Sequence, residues 1–183
     1  MTRVQWTPLA LVVCTLALVG CGGGGGQSGV GAAAYVRSIC GTLTTWKTDV
    51  QSAGGQLHTG SNSAKSLAEG KKQYLVFINA LVAATRKAAT GLKAAGVPSV
   101  HNGSAIATSL QGAFTRASAS LAQAAARARQ IPTDNAADYQ AATSGVTDQF
   151  KQSLSSVGTL TPKNAQLDAA AAKDPTCKAL TTG

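Results

Sequence analysis

The cysteines are the residues whose type and placement could do chemistry in this chain. There are four of them: Cys14, Cys21, Cys40 and Cys177. Cys21 closes the run Leu18-Val19-Gly20-Cys21 and is followed at once by Gly22 to Gly26. A large aliphatic residue, two small ones and a cysteine at the end of an apolar stretch form the pattern of a bacterial lipobox. The chemistry expected there is attachment of a diacylglyceryl group to the Cys21 thiol. Cleavage before Cys21 would then make it the first residue of the mature chain. Cys14 lies in the discarded segment, so Cys40 and Cys177 form one pair in an oxidising compartment, and a single bridge between them is possible. That bridge would close about 137 residues and fasten the C-terminal tail across the first helix, with loop-closure entropy worth about 5 kcal/mol at most. A redox thiol pair is the alternative, but no Cys-x-x-Cys spacing supports it.

The remaining polar groups offer little for catalysis. His58 and His101 fall in two different predicted loops, at opposite ends of the long helix between them, which excludes a shared metal site or an acid–base pair within one monomer. Each reads as a solvated loop residue. The carboxylates Asp49, Glu69, Asp134, Asp138, Asp148, Asp168 and Asp174 are scattered. Asp134 and Asp138 are one turn apart, but at a helix start acids simply suit the dipole. No hydroxyl has a histidine or lysine placed to activate it. The glycine run after Cys21 lacks the preceding strand and the Gly-Lys-Ser/Thr ending of a phosphate loop. The expectation is a protein with no catalysis, no cofactor and no metal.

The basic residues carry more information. The chain has 16 Lys+Arg against 7 Asp+Glu, and it keeps a net +8 once Arg3 leaves with the leader. Lys71, Lys72, Arg86 and Lys87 on the second predicted helix, with Arg116, Arg127 and Arg129 on the third, have few acidic neighbours in sequence. The bland reading is a solvated face. The sharper one is a positive surface for anionic lipid, wall polymer or an acidic envelope protein. Export argues against nucleic acid as the partner.

These groups must be positioned by a chain of 183 residues in which 44% are hydrophobic but only 4% aromatic, alanine filling much of the difference. That composition favours helices, since alanine loses no side-chain entropy on becoming helical. Residues 1–20 carry Arg3 as a positive start and Leu9 to Val19 as an apolar core. This is a signal peptide, because a membrane-spanning helix needs about 20 apolar residues. Residues 21–31 then read as a lipidated cysteine and a glycine-rich tether, with a reach of about 17–19 Å over its ten residues. Two or more acyl chains make such an anchor stable where one does not.

Residues 32–183 form the expected domain, and 163 mature residues suffice for a core. Val36, Ile39, Leu43, Trp46 and Val50 make a seam on a first helix that Gly54-Gly55 should end, leaving 56–62 as a loop. Ser61 to Ser63 should cap a second helix over residues 64–95, which stops at Gly96-Val97-Pro98. A third spans 104–131, nearly all alanine on the inner side of its second half. A fourth, capped by Thr133 or Asp134, ends at Gly158. Thr161-Pro162 starts a short helix to Lys173, and Asp174-Pro175-Thr176-Cys177 follows as a tail. Four amphipathic helices on short loops predict an all-α, up-down-up-down four-helix bundle with a short C-terminal helix and tail.

With these features in view, the chain resembles the small cell-envelope lipoproteins of actinobacteria. The likeness rests on the lipobox, the glycine tether, the opening Tyr35-Val36-x-x-Ile39-Cys40-x-x-Leu43-x-x-Trp46 and the closing Asp174-Pro175-x-Cys177-x-x-Leu180. It implies a helical domain held by lipid on the outer face of a membrane, and it implies no activity. The expected function is non-catalytic binding or scaffolding in the envelope. A carrier of a lipid or other apolar ligand between the helices is the alternative.

Overall fold

The structure is a computed structural model that describes residues 29–158 and 163–181. Leu18 to Cys21, and so the expected lipidation site, lie outside the described residues, as does Thr161-Pro162. Among the described residues the chain forms helices α1 (Ala32–Ser63), α2 (Leu67–Ala94), α3 (Gly103–Ala128), α4 (Ala136–Gly158), α5 (Ala165–Ala171) and α6 (Pro175–Thr181). The extended pairing is one isolated parallel bridge between Val30 and Pro98. Among the described residues the fold is all-helical.

The first departure from the expected boundaries is in α1, which does not stop at Gly54-Gly55 but runs through both glycines to Ser63. Glycine costs a helix interior about 1 kcal/mol relative to alanine, so something must offset it. Ala53 just before the pair is buried, and Leu57 just after it packs against the cluster that holds Tyr74 and Val146. Tertiary burial therefore extends the helix where local propensity would end it. The cap of α2 moves accordingly from the expected Ser61 to Ser63 to Ser66. Its hydroxyl accepts from the Glu69 N–H at 3.2 Å, while Glu69 Oε2 accepts from the Lys65 N–H at 2.6 Å. This is a near relative of the capping box.

Two further caps also correct the sequence reading. Asn135, not Thr133 or Asp134, starts α4, its Oδ1 accepting from Ala137 N–H at 2.8 Å and Asp138 N–H at 3.3 Å. Asn164 starts α5 in the same manner, over Gln166 and Leu167. The expected tail is itself a helix, α6.

Helix α1 packs on α2, α2 on α3 and α3 on α4, while α5 and α6 both lie against α1. Early residues of α1 face late residues of α2, as Thr42 stands against Gly91, and late residues of α1 face early ones of α2, as Gly60 stands against Gln73. Likewise Lys71 reaches Ile131, and Gln111 reaches Leu92. Helix α2 has the length and apolar composition to cross a bilayer, but here it lies between α1 and α3 with Tyr74, Ile78, Leu81, Val82, Ala88 and Leu92 buried.

The core has two parts. One joins α1, α2 and α3 to the C-terminal helices through Tyr35, Val36, Ile39, Leu92, Phe114 and Leu167. The other joins α2, α3 and α4 through Tyr74, Ile78, Leu121, Ala124, Ala128 and Val146. Trp46 stands edge-on to Phe114 with centroids 5.4 Å apart and donates its indole N–H to buried Thr85 at 3.2 Å. That gives the largest side chain of α1 both an apolar contact and a partner for its polar atom.

A substitution test follows from α1. A Cβ built on Gly54 or Gly55 meets nothing within 4 Å, and neither glycine has a positive φ. Gly54→Ala and Gly55→Ala should each raise stability by about 0.5–1 kcal/mol in urea unfolding followed by circular dichroism. A loss of stability from either change would mean that the helix does break there.

Candidate functional site

Gly29 to Gly31, the α2–α3 connection and the start of α5 come together at the end of the molecule where the described chain enters. The α2–α3 connection, residues 95–102, is built tightly there. Gly96 leaves α2 with φ +76, a left-handed conformation that suits glycine, and Asn102 repeats that hand at φ 59. Pro98 is fully buried, and a Cβ on Gly103 would overlap the Pro98 carbonyl oxygen. The incoming strand is bonded to this loop. Val30 N–H donates to the Val97 carbonyl and Ser99 N–H to the Val30 carbonyl, both at 2.8 Å. Gly29 lies so close that a Cβ there would stand 2.6 Å from Ser99 Oγ. Val30 thus belongs to the folded body. The segment between Cys21 and the body is residues 22–28, shorter than a tether ending at Gly31.

Cys40 and Cys177 form the expected disulfide, with Cα atoms 5.1 Å apart. It holds α6 to α1, and Cys177 is buried. Asp174 builds this clasp from the other side. Its Oδ1 accepts from the N–H groups of Thr176 at 2.9 Å and Cys177 at 3.3 Å, which caps α6. Its Oδ2 faces Arg37 Nε of α1 at 3.5 Å. Burial alone would push the Asp174 carboxyl up, but the two N–H donors and the Arg37 guanidinium together hold it below the usual carboxylate range. Sequence reasoning placed Asp174 among scattered carboxylates. The signal that could have found it is Asp174-Pro175, a capping acid followed by proline at the first helical position. Close by, the Tyr35 hydroxyl is buried without a hydrogen-bond partner among the described residues, and desolvation raises its pKa.

The seven expected basic contacts do not form one uniform set. Lys71 Nζ donates to the Ile131 carbonyl at 2.7 Å, closing the end of α3, and Lys87 Nζ pairs with Asp49 of α1 at 3.2 Å. Lys72, Arg86, Arg116, Arg127 and Arg129 are exposed. Lys72 at the start of α2 and Arg127 and Arg129 at the end of α3 share the end remote from Val30. Arg86 and Arg116 sit further along the same helices. His58 is on α1, not in a loop, exposed and within 3.2 Å of Asn62. His101 is exposed in the α2–α3 connection, and its carbonyl accepts from Asn164 Nδ2 at 3.1 Å. The two histidines stand at opposite ends of α2. Among the described residues no group of three or more His, Cys, Asp or Glu side chains could hold a metal ion. Comparison with protein-family models, curated proteins and solved structures returns no match for this chain.

The Asp174 clasp should be sensitive to acid. A carboxyl held below its ordinary 3.8 contributes stability that is complete above that pH and is lost as pH falls through the lower folded value. Asp174→Ala should therefore melt below the unaltered protein at neutral pH, and the two melting temperatures should converge as pH drops below about 3.8. A gap that stayed constant down to pH 2 would show that the carboxylate charge is not what holds α6.

Proposed function

We propose that this chain is a lipid-anchored protein of the bacterial cell envelope, in which α1 to α4 form an up-down-up-down bundle that binds or scaffolds without catalysis. The observation that carries the attachment is the run Leu18-Val19-Gly20-Cys21 behind an apolar leader. The alternating helix direction is supported by the facing pairs Thr42 with Gly91 and Gly60 with Gln73, then Lys71 with Ile131 and Gln111 with Leu92. In these two helix pairs, α1 with α2 and α2 with α3, residues near the start of one element meet residues near the end of the other.

Scaffolding is favoured over carriage of an apolar ligand by how the interior closes. Leu92, Leu121, Ala124 and Ala128 are fully buried, the alanines letting neighbouring backbones come close. The cleft of about 280 Å³ between α1 and α2, walled by Trp46, Ala84 and Ala88, is open to solvent and carries the Asp49–Lys87 ion pair, so it is not the enclosed apolar cavity a carrier needs. The exposed Lys72, Arg86, Arg116, Arg127 and Arg129 are the groups we assign to an anionic partner in the envelope, a wall polymer or an acidic protein surface. Neither a cofactor nor nucleic acid enters this reading.

The test is fatty-acid labelling of the full chain in a bacterial host, read with cell fractionation. The unaltered protein should take up an alkyne-tagged palmitate and collect in the membrane fraction, while Cys21→Ala should carry no label. An unlabelled parent protein would overturn the lipid anchor.

A further inference from the structure

We propose that the end of the molecule formed by Val30, the last turn of α2, residues 95–104 and the start of α5 is a surface that docks on anionic lipid head groups. This rests on the lipid attachment proposed above and adds which face of the domain meets the membrane, and with what chemistry.

The first argument is geometric. A domain whose entry strand were free could present any side to the lipid. Here the strand is hydrogen-bonded to Val97 and Ser99, and Gly29 is wedged against the same loop. Seven residues separate Cys21 from Gly29, and a chain of that length spans at most about 29 Å when fully extended. Helix α2 has 28 residues and so measures about 42 Å. The remote end, with Lys72, Arg127 and Arg129, cannot replace the entry end at the lipid surface without the pinned strand tearing from the loop.

The second argument is chemical. Residues 29–36, 93–104 and 163–167 contain no aspartate or glutamate. Lys93 in the last turn of α2, His101 and Lys163 are all exposed. Asn164, next to Lys163, is bonded to the His101 carbonyl, so Lys163 belongs to the same end. Two acids lie close to the entry region: Asp174 is buried and spent on Arg37 and the α6 cap, and Asp168 is exposed in the first turn of α5. At the tip stands Val97, a large apolar side chain left 43% exposed although its carbonyl is fixed by Val30. An exposed valine at the same end as Lys93, His101 and Lys163, whose charge exceeds that of the exposed Asp168, matches an interface with phosphate outside and hydrocarbon just beneath. Each lysine brought to an anionic surface shifts the docking equilibrium by about fivefold.

The experiment uses the full, lipid-processed chain reconstituted into phosphatidylcholine vesicles, with and without phosphatidylglycerol, and with brominated acyl chains as the quencher. Val97→Trp reports the proposed face, and Lys65→Trp, at the remote turn between α1 and α2, reports the opposite end. Both positions are exposed, so neither tryptophan is forced into the core. Val97→Trp emission should be quenched more in the anionic than in the neutral vesicles, and Lys65→Trp emission in neither. Adding Lys93→Glu and Lys163→Glu should abolish the difference between the two lipid mixtures. Equal quenching of both reporters, or none at Val97→Trp in protein that floats with the vesicles, overturns the docking face and leaves the anchor standing. Quenching that does not depend on phosphatidylglycerol overturns the head-group chemistry. Protein that does not float with either vesicle overturns the lipid anchor itself.

Discussion

Close approach between helices, made possible by alanine and glycine, is the constraint on which the rest of this structure depends. Only 4% of the residues are aromatic, so the usual source of buried area per side chain is scarce. The interior compensates with short distances. Ala113, Ala117, Ala124 and Ala128 line the buried side of α3, and Gly91 brings α2 so near α1 that a Cβ there would stand 2.8 Å from Thr42 Oγ1. Dispersion falls off steeply with separation, so thin side chains contribute well only if backbones nearly touch. Such packing tolerates little slack. It also explains why the few large residues sit where helices must be spaced: Trp46 against Phe114 in one half of the core, and Phe77 against Phe150 in the other.

A core of thin side chains yields less hydrophobic stabilisation per helix, and the weakest elements here are the shortest. Helices α5 and α6 have seven residues each, too few to persist alone. They are held by means other than area: the Cys40–Cys177 bond, the Asp174 cap with its Arg37 contact, and Asn164 joined to the His101 carbonyl. All three act at the half of the molecule where the chain enters and where Val30 is bonded to the α2–α3 connection. Helix α4, at the other half, buries Val146 and Ser153 and is tied by side-chain hydrogen bonds, Tyr74 with Thr147 at 3.0 Å and Ser120 with Ser153 at 2.6 Å. The covalent tie is therefore at the entry end.

Most of the helical framework was legible in the sequence because its signals are periodic: seams such as Val36, Ile39, Leu43 and Trp46, and a stop such as Gly96-Val97-Pro98. The disulfide was legible by elimination. The errors fall at places where a local signal competes with a distant contact. Gly54-Gly55 reads as a helix end, and only the burial of Ala53 and Leu57 against other elements reverses that. Ser61 to Ser63, Thr133 and Asp134 are all competent caps, so composition cannot choose among them and Ser66 or Asn135. The Val30 strap carries no sequence signal, since it depends on backbone groups of residues far apart in the chain. The basic residues were visible as a set, but not that Lys71 and Lys87 are committed to Ile131 and Asp49.

Charge is where the fold and the proposed attachment meet. Of the seven acids, Asp49, Asp148 and Asp174 already have basic partners, and Glu69 is used in a cap. The net positive charge is thus a surplus that the protein cannot neutralise internally and that ions outside it must balance. At physiological ionic strength the field of an exposed charge decays over about 8 Å. A lysine acts on lipid only when it is carried within that distance, however basic the whole chain is. On the proposed anchoring, the seven residues between Cys21 and Gly29 and the pinned Val30 are short enough to let Lys93 and Lys163 come within that range. Helix α2 holds Lys72, with the end of α3 beside it, about 30 Å further away than Lys93, well outside it. One surplus is in this way divided by geometry into two. On the proposed anchoring, the part at the entry end is matched to the membrane, and the part at the remote end is left open to a different polyanion.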